Sequence, residues 1–150
     1  MSLPTQLAQI NIAHCKAPLD SPVMRGFVDL LDTINALADA SPGFVWRLKS
    51  DGGDATSIRA YEDPLIIVNL SVWTSAEALK EYTYRNSHAA VFRKRKEWFH
   101  EMTGPNFALW WIPAGQIPTV EEGKRRLELL AKNGPSPESF SFRESFPAPQ

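Results

Sequence analysis

The segment LIIVNLSVW, residues 65–73, decides the fold of this chain. It is rich in β-branched and large apolar residues, which is typical of a central β-strand. Because successive side chains of a strand point to opposite faces, the segment predicts two different faces. The aliphatic face comprises Ile66, Val68, Leu70 and Val72, and the mixed face comprises Leu65, Ile67, Asn69, Ser71 and Trp73.

The segments on both sides of this strand predict the other elements. Alternating side chains predict strands over residues 7–14, 44–49, 56–61 and 107–112, with a turn at 51–54. Apolar residues at helical spacing predict helices over residues 22–40, 75–84, 88–102 and 120–132. Pro22 suits the first turn of the first helix, and Thr74 with Glu77 forms a capping box for the second.

The order of these elements predicts an α+β fold. A β-α-β-β-α-β pattern is the ferredoxin-like arrangement, an antiparallel sheet with helices on one face. A chain of 150 residues fits a single domain. We assign residues 1–134 to that domain and residues 135–150 to an extended tail rich in Pro and Phe. Its Phe140, Phe142 and Phe146 are expected to dock on the domain or on a partner.

Composition excludes several classes of partner. The formal net charge is −1 and the isoelectric point is about 6.3, so no global charge attracts nucleic acid or an anionic membrane. A single cysteine, Cys15, excludes an internal disulfide and a multi-cysteine metal site. The polar N-terminus does not resemble a signal peptide, and no apolar run approaches the ~20 residues that span a bilayer. We therefore expect a cytoplasmic protein with no nucleic acid and no membrane as partner.

The mixed face of the sheet predicts a cavity. In the first strand, Gln9 and Asn11 stand beside Leu7 on a similarly mixed side, while the aliphatic face is expected under the helices. A half-polar face fits against a second sheet around a partly wet cavity, and a twofold homodimer supplies that sheet. The alternative is that Gln9, Asn11, Asn69 and Ser71 only satisfy one another across the strands.

The predicted helix over residues 88–102 carries a charge on its apolar side. At 100° per residue, Arg95 shares an arc with Phe92, Trp98 and Phe99. Burying an unpaired arginine costs several kcal/mol, so it needs carboxylates, carbonyls or an anionic ligand. A salt bridge, or extension of the side chain into solvent along Trp98, is the alternative to a ligand contact.

His88 lies in the first turn of the same helix, where the helix dipole favours a neutral imidazole. A neutral imidazole at a cavity mouth suits a general base or a ligand group, and a structural hydrogen bond is the alternative. No pair of histidines has metal-site spacing with a carboxylate, so we predict no zinc and no non-haem iron. Phosphate loops, nucleophile elbows and dinucleotide fingerprints are absent from the sequence.

Two long segments carry a resemblance to a known family. SVWTSAEALKEYTYRNSHAAVFRKRKEWF and FALWWIPAGQIPTVEEGKRRLELLAKNGPSPESFSF closely resemble an uncharacterised bacterial family of the dimeric α/β-barrel superfamily. The resemblance implies a ferredoxin-like domain whose sheet faces a second sheet in a dimer. That superfamily includes cofactor-free monooxygenases of antibiotic biosynthesis, haem-degrading enzymes and binding proteins. Residues 84–88 with Trp98-Phe99 also resemble a segment of haem-using carotenoid monooxygenases.

Two functional hypotheses follow. In the first, the protein is a small monooxygenase or related oxidoreductase acting on an apolar or aromatic substrate. His88 and Tyr84 handle the proton, and Arg95 with Asn69 holds a developing enolate or phenolate. No cofactor is expected, with haem ligated by His88 as the alternative. The substrate-binding residues are Asn11, Trp46, Asn69, Ser71, Trp73 and Trp111. In the second hypothesis, the dimer binds a small hydrophobic molecule without catalysis or acts as a stress or accessory module. A purely structural dimer, whose cavity would be filled by side chains, is a third option.

Overall fold

The computed structural model describes residues 4–49, 60–85, 96–102 and 104–148. The strands are β1 (Thr5–Cys15), β2 (Phe44–Arg47), β3 (Ile66–Trp73), β4 (Phe99–His100) and β5 (Phe107–Pro113). The helices are α1 (Arg25–Ala40), which follows a 3-10 turn at Pro22–Met24, α2 (Ala76–Arg85) and α3 (Val120–Asn133). In the described ranges, no helix is both long and apolar enough to cross a membrane.

The strands form one antiparallel sheet in the order β2-β3-β1-β5. β1 is central, and Asn11 lies opposite Asn69 in the middle of its pairing with β3. The short strand β4 pairs with the other end of β1, where His14 lies opposite His100. This order confirms the predicted α+β, ferredoxin-like fold.

The aliphatic face of the sheet is covered by α3. Leu127 and Leu130 of that helix belong to the same buried cluster as Ile10, Leu70 and Trp110. Helices therefore lie on both faces of the sheet, and the prediction that all of them share one face was wrong. The reason is that α3 carries its own apolar stripe, which needs a sheet face to cover it.

The mixed face of the sheet lies under α1, α2 and the C-terminal tail. Ile34 of α1, Leu79 of α2 and Phe140 of the tail are buried in one cluster with Leu7 and Trp73. The prediction that α1 and α2 cover the aliphatic face was wrong. The polar residues of the mixed face can be buried because they form hydrogen bonds with one another, as described below.

Two predicted helix boundaries differ from the structure. The cap of α2 is Ser75, whose Oγ accepts a hydrogen bond from the Ala78 N–H at 3.1 Å, and not Thr74. Residues 96–98 are helical, but Phe99 already belongs to β4, so the helix predicted to reach Met102 ends earlier. Phe99 leaves the helix because it pairs with Cys15 and packs its ring on Phe27, with the ring centroids 5.0 Å apart.

The C-terminal tail docks on its own chain. Backbone hydrogen bonds of 2.8 and 2.9 Å join Leu109 of β5 to Phe140 in both directions. Phe140 has no exposed surface, and the Ser139 Oγ donates to the carbonyl of Arg126 at 2.6 Å. The tail thus packs on the domain of its own chain through Ser139 and Phe140.

Candidate functional site

A deep groove separates the mixed face of the sheet from the helices that cover it. Its volume is about 1030 Å³, which is at the upper limit of small-molecule sites. The floor is formed by β1 and β3, and α1 and α2 supply walls through Ile34 and Tyr82. The groove is formed within one chain, whereas the sequence argument placed the cavity between two subunits.

Four polar side chains form the floor of the groove. Gln9 is 2% exposed, and its Nε2 donates to Asn69 Oδ1 at 2.5 Å and to Ser71 Oγ at 2.7 Å. The Nδ2 of Asn11 donates to Gln9 Oε1 at 3.2 Å, with a longer contact of 3.5 Å to Asn69 Oδ1. These bonds hold Gln9, Asn11, Asn69 and Ser71 as one network, which we call the amide floor.

The amide floor leaves two polar groups facing the groove. Asn69 and Asn11 are only half-buried, and both line the groove. Within the described residues, the Asn69 Nδ2 has no acceptor and the Asn11 Oδ1 has no donor. Because the two residues are direct cross-strand partners, the floor presents a hydrogen-bond donor beside an acceptor.

Trp73 fixes one end of the amide floor. Its Nε1 donates to Ser71 Oγ at 2.9 Å, and the side chain is 1% exposed. The indole packs edge-on against Phe44 and stacks on Tyr82, with centroid distances of 5.4 and 5.2 Å. These contacts make Trp73 a rigid support for Ser71.

Tyr82 of α2 is a wall residue whose phenol is buried. Burial raises the pKa of its phenol to about 12, although nearby Arg47 opposes the shift. The hydroxyl donates to the carbonyl of Ile34 at 3.2 Å. At neutral pH, Tyr82 therefore serves as an apolar wall with one satisfied hydroxyl, and it does not serve as a base.

We expect this shift to appear in the stability of the protein at alkaline pH. The phenol of Tyr82 ionises near pH 10 in the unfolded chain and near pH 12 in the folded one. Its contribution to the free energy of unfolding is therefore intact below pH 10 and is lost as the pH rises through 12. By pH 11.5 the loss amounts to about 2 kcal/mol. Urea unfolding of wild type and Tyr82→Phe should show a weaker pH dependence between pH 10 and 12 for the variant. An unchanged dependence would contradict the assignment.

Aromatic side chains form a second wall of the groove. Phe107 of β5 lies opposite Asn11 in the sheet, so its ring borders the amide floor. Phe142 of the tail packs on Phe107 with ring centroids 5.3 Å apart, and Tyr84 of α2 packs on Phe142 at 6.0 Å. We call Tyr84, Phe107 and Phe142 the aromatic wall.

Basic residues also line the groove. The Arg47 Nε donates to Asp39 Oδ1 at 2.8 Å, and the Arg47 side chain is only 11% exposed. Lys16 and Lys96 lie on the rim, where the Lys16 Nζ donates to the carbonyl of Lys96. The two lysines give this part of the rim a positive charge.

Four of the residues predicted to bind substrate come together in the groove. Asn11, Asn69, Ser71 and Trp73 share the mixed face, while Tyr84 lies at the edge with 58% of its surface exposed. His88 and Arg95 lie outside the described residues.

Two tryptophans predicted to line the substrate site lie elsewhere. A register shift in β2 between Phe44 and Trp46 places Trp46 opposite Val72, so its indole packs on the aliphatic cluster. Simple alternation cannot anticipate such an irregularity. Trp111 lies on the mixed face but packs under the tail, and its Nε1 donates to the Phe146 carbonyl at 2.9 Å. Neither tryptophan lines the groove.

Gln9, Phe107 and Phe142 line the groove but were not predicted as site residues. The alternation of side chains in β1 predicted that Gln9 lies on the mixed face, and this position indicated that it could line the groove. Phe107 could have been found in the same way from its position in β5. No local signal marks Phe142, because its place depends on how the tail crosses β5.

Metal-binding groups do not form a metal site in the part of the chain that the structure describes. No three His, Cys, Asp or Glu side chains there could jointly hold a metal ion. The His14 Nε2 lies 3.2 Å from Asp63 Oδ2, and its ring lies 5.0 Å from that of His100. Cys15 is buried, and burial raises the pKa of its thiol to about 11, so it is not a reactive thiolate at neutral pH.

Comparison with solved structures gives matches of low identity. The protein of unknown function NE2512 from Nitrosomonas europaea is 13% identical with a TM-score of 0.49, covering 79% of this chain and 99% of that one. SnoaB, a cofactor-independent oxygenase from Streptomyces nogalater, is 16% identical with a TM-score of 0.46, covering 75% and 95%. PA3566 from Pseudomonas aeruginosa is 12% identical with a TM-score of 0.49, covering 77% and 100%.

Comparison with protein families gives a match over nearly the whole chain. The model of the family described as "Domain of unknown function (DUF3291)" matches residues 6–150. No curated protein matches the sequence. The family match confirms the resemblance to an uncharacterised family that the sequence predicted.

Proposed function

The chain belongs to the DUF3291 family, and we propose that it is an oxygenase that oxidises an aromatic substrate held on the amide floor. One observation carries this proposal: the floor presents the Asn69 Nδ2 donor and the Asn11 Oδ1 acceptor side by side in a groove with aromatic walls. A planar molecule with a carbonyl next to a hydroxyl is complementary to that pair. The aromatic wall gives its ring a surface on which to pack.

The same geometry favours formation of an enolate. When a proton leaves a carbon that is conjugated with a carbonyl, negative charge develops on the carbonyl oxygen. A donor already aimed at that oxygen stabilises the charge without reorganisation. The Asn69 side chain is held in position by Gln9, whose Nε2 binds its oxygen, and its NH₂ has no hydrogen-bond acceptor within the described residues. Asn69 is therefore the group that we propose for enolate stabilisation.

The reaction that we propose needs only dioxygen as co-reactant. A CH₂ carbon that is conjugated through an aromatic ring with the carbonyl loses a proton to form the enolate, which is then oxidised by O₂. One oxygen atom becomes the new carbonyl oxygen and the other leaves as water, so R₂CH₂ + O₂ gives R₂C=O + H₂O. We propose His88, with Tyr84, as proton acceptor and Arg95 as the charge that assists Asn69; the two residues outside the described ranges are assigned from the sequence alone.

The proposed reaction uses no cofactor, because a stabilised carbanion can react with O₂ directly. The alternative from the sequence is haem ligated by His88. The absorption spectrum of the purified protein distinguishes the two. A Soret band that is lost in His88→Ala would support haem, and a colourless protein that consumes O₂ would support the cofactor-free reaction.

We expect the purified protein to consume O₂ with 1,8-dihydroxyanthrone, a probe whose hydroxyls lie beside its carbonyl and whose CH₂ group is conjugated with that carbonyl through the aromatic rings. Asn69→Ala should lower kcat/KM about a hundredfold, because the donor for the enolate is removed. The variant should still fold, since Gln9 Nε2 keeps its bond to Ser71. Oxygen uptake measured with an electrode, and the anthraquinone measured by absorbance, report the activity.

The matched control for that experiment is Gln116→Ala. Gln116 carries an exposed side-chain amide, follows the end of β5 and does not line the groove. The substitution should leave kcat/KM unchanged. The oxygenase proposal fails if the wild type does not accelerate oxidation of the anthrone over buffer. The assignment of Asn69 alone fails if activity is present and survives its replacement.

A second candidate function is binding without catalysis. It is favoured by the composition of the amide floor, whose amide and hydroxyl groups bind one another and do not act as bases at neutral pH. In that case the protein would bind 1,8-dihydroxyanthraquinone but would not consume O₂ with the anthrone. Thermal shift would detect such binding, since a ligand at 100 times its Kd stabilises the fold by about 2.7 kcal/mol.

We also propose that the protein forms a homodimer, as the resemblance implies. The groove is formed within a single chain, so the binding step does not require the second copy. Light scattering on the eluting peak of a size-exclusion column gives the mass, and a monomer at working concentration would refute the dimer without affecting the oxygenase.

A further inference from the structure

We infer that Phe142, in the C-terminal tail, is a specificity-determining residue that selects ligands with more than one fused ring. The inference rests on the proposed function in one respect, namely that the groove holds an aromatic ligand. It does not depend on whether the ligand is oxidised. The evidence for the inference comes from Phe142, from its neighbours in the aromatic wall, and from Phe140 and Phe146, which fasten the tail to β5.

The tail holds Phe142 between two fixed points. Before it, Phe140 is fully buried and pairs with Leu109 through two backbone hydrogen bonds. After it, the carbonyl of Phe146 accepts a hydrogen bond from the Trp111 Nε1 at 2.9 Å. Because both ends are fastened to β5, the segment between them crosses the sheet edge at a defined place. Phe142 is therefore held at the groove by the fold.

The three aromatic residues of the tail have different surroundings. Phe140 lies in the core and packs on Phe146 with ring centroids 5.8 Å apart, while Phe146 does not line the groove. Phe142 lines the groove and remains half-exposed. Core packing thus explains why a phenylalanine is present at position 140. At position 142, by contrast, part of the aromatic ring stays available to a ligand.

The position of Phe142 relative to the amide floor sets the ligand class. Phe107 is the cross-strand neighbour of Asn11, and Phe142 packs on the far side of Phe107 at 5.3 Å. A single ring bound through Asn11 and Asn69 reaches Phe107 first. A ligand must extend beyond its first ring to pack on Phe142 as well. Aromatic contacts of this kind contribute about 0.5–1.5 kcal/mol each.

The test is a binding titration with two probes that share a hydroxyl beside a carbonyl. The three-ring probe is 1,8-dihydroxyanthraquinone, which is coloured and is not oxidised by the proposed reaction, and the one-ring probe is 2-hydroxyacetophenone. Both are titrated into wild type, Phe142→Ala and Phe146→Ala by absorbance or calorimetry. Phe146→Ala is the matched control, because it removes a tail ring that does not face the groove and keeps the carbonyl that Trp111 binds.

We expect Phe142→Ala to weaken binding of the three-ring probe about tenfold and to leave the one-ring probe within about twofold of wild type. Phe146→Ala should leave both within about twofold. The inference is overturned if Phe142→Ala binds the three-ring probe like wild type, if Phe146→Ala weakens it equally, or if the wild type binds the three-ring probe no better than the one-ring probe. Normal binding with no O₂ consumption would refute the oxygenase and leave this inference intact.

Discussion

Phe140→Ala is expected to lower the free energy of unfolding by about 4 kcal/mol. The Phe140 side chain has no exposed surface and packs in one cluster with Leu7, Trp73 and Leu109. Truncating it removes its transfer free energy and leaves a cavity that the sheet cannot close. The loss corresponds to roughly a thousandfold change in the folding equilibrium constant. Urea or thermal unfolding, followed by circular dichroism, measures it directly.

The control for this substitution is Phe142→Ala in the same tail. Phe142 is half-exposed, so its removal should cost clearly less, on the order of 1 kcal/mol. If the two substitutions destabilise the protein equally, or if Phe140→Ala is nearly neutral, the tail is not the structural element described above. Such an outcome would also remove the anchor on which the placement of Phe142 depends.

Gly123→Leu is expected to destabilise the protein by about 3 kcal/mol. Gly123 lies in α3 where that helix crosses β1, and a Cβ at this position would lie 2.6 Å from Ile10 Cδ1 and 3.3 Å from Ile10 Cβ. A leucine would place further carbon atoms into a space that Ile10 already fills. The helix would have to move off the aliphatic face, which would expose Leu127 and Leu130.

The mechanism of this effect is tested with smaller substitutions. Gly123→Ala gains about 1 kcal/mol of helix propensity, which offsets the cost of moving the end of the Ile10 side chain, so the net change should be small. Adding Ile10→Val removes the Cδ1 atom in closest contact, so the double variant should show a favourable coupling between the two sites. Additive effects in a double-mutant cycle would show that the close approach of α3 to β1 is not the cause.

Several structural features could be read from local patterns. The strand at Ile66–Trp73 was predicted to within one residue because its alternation and β-branched content leave no competing helix. The helix at Val120–Asn133 was predicted from its apolar stripe and from the glycine that follows, and Thr119 caps it through a 3.1 Å bond to the Glu122 N–H. Local sequence determines such elements because the interactions that form them span only a few residues.

The candidate site could be predicted only in part. Asn11 and Asn69 were placed on one face because period-two alternation is a property of each strand, and antiparallel pairing then brings the faces together. Trp46 was misplaced because one register shift in β2 reverses its face. The assignment of His88 and Arg95 to the site stays a prediction, which mutagenesis tests.

The amino-acid sequence was sufficient to define the kind of fold, the two chemically distinct faces of the sheet, and the family. Only the tertiary structure decided which face α1 and α2 cover, that α3 takes the other, and that Phe142 reaches the groove. The physical reason is that both faces of β3 are apolar enough to be buried. The choice between them depends on packing and hydrogen bonds between residues about sixty positions apart, such as Gln9 and Asn69, which no local pattern contains.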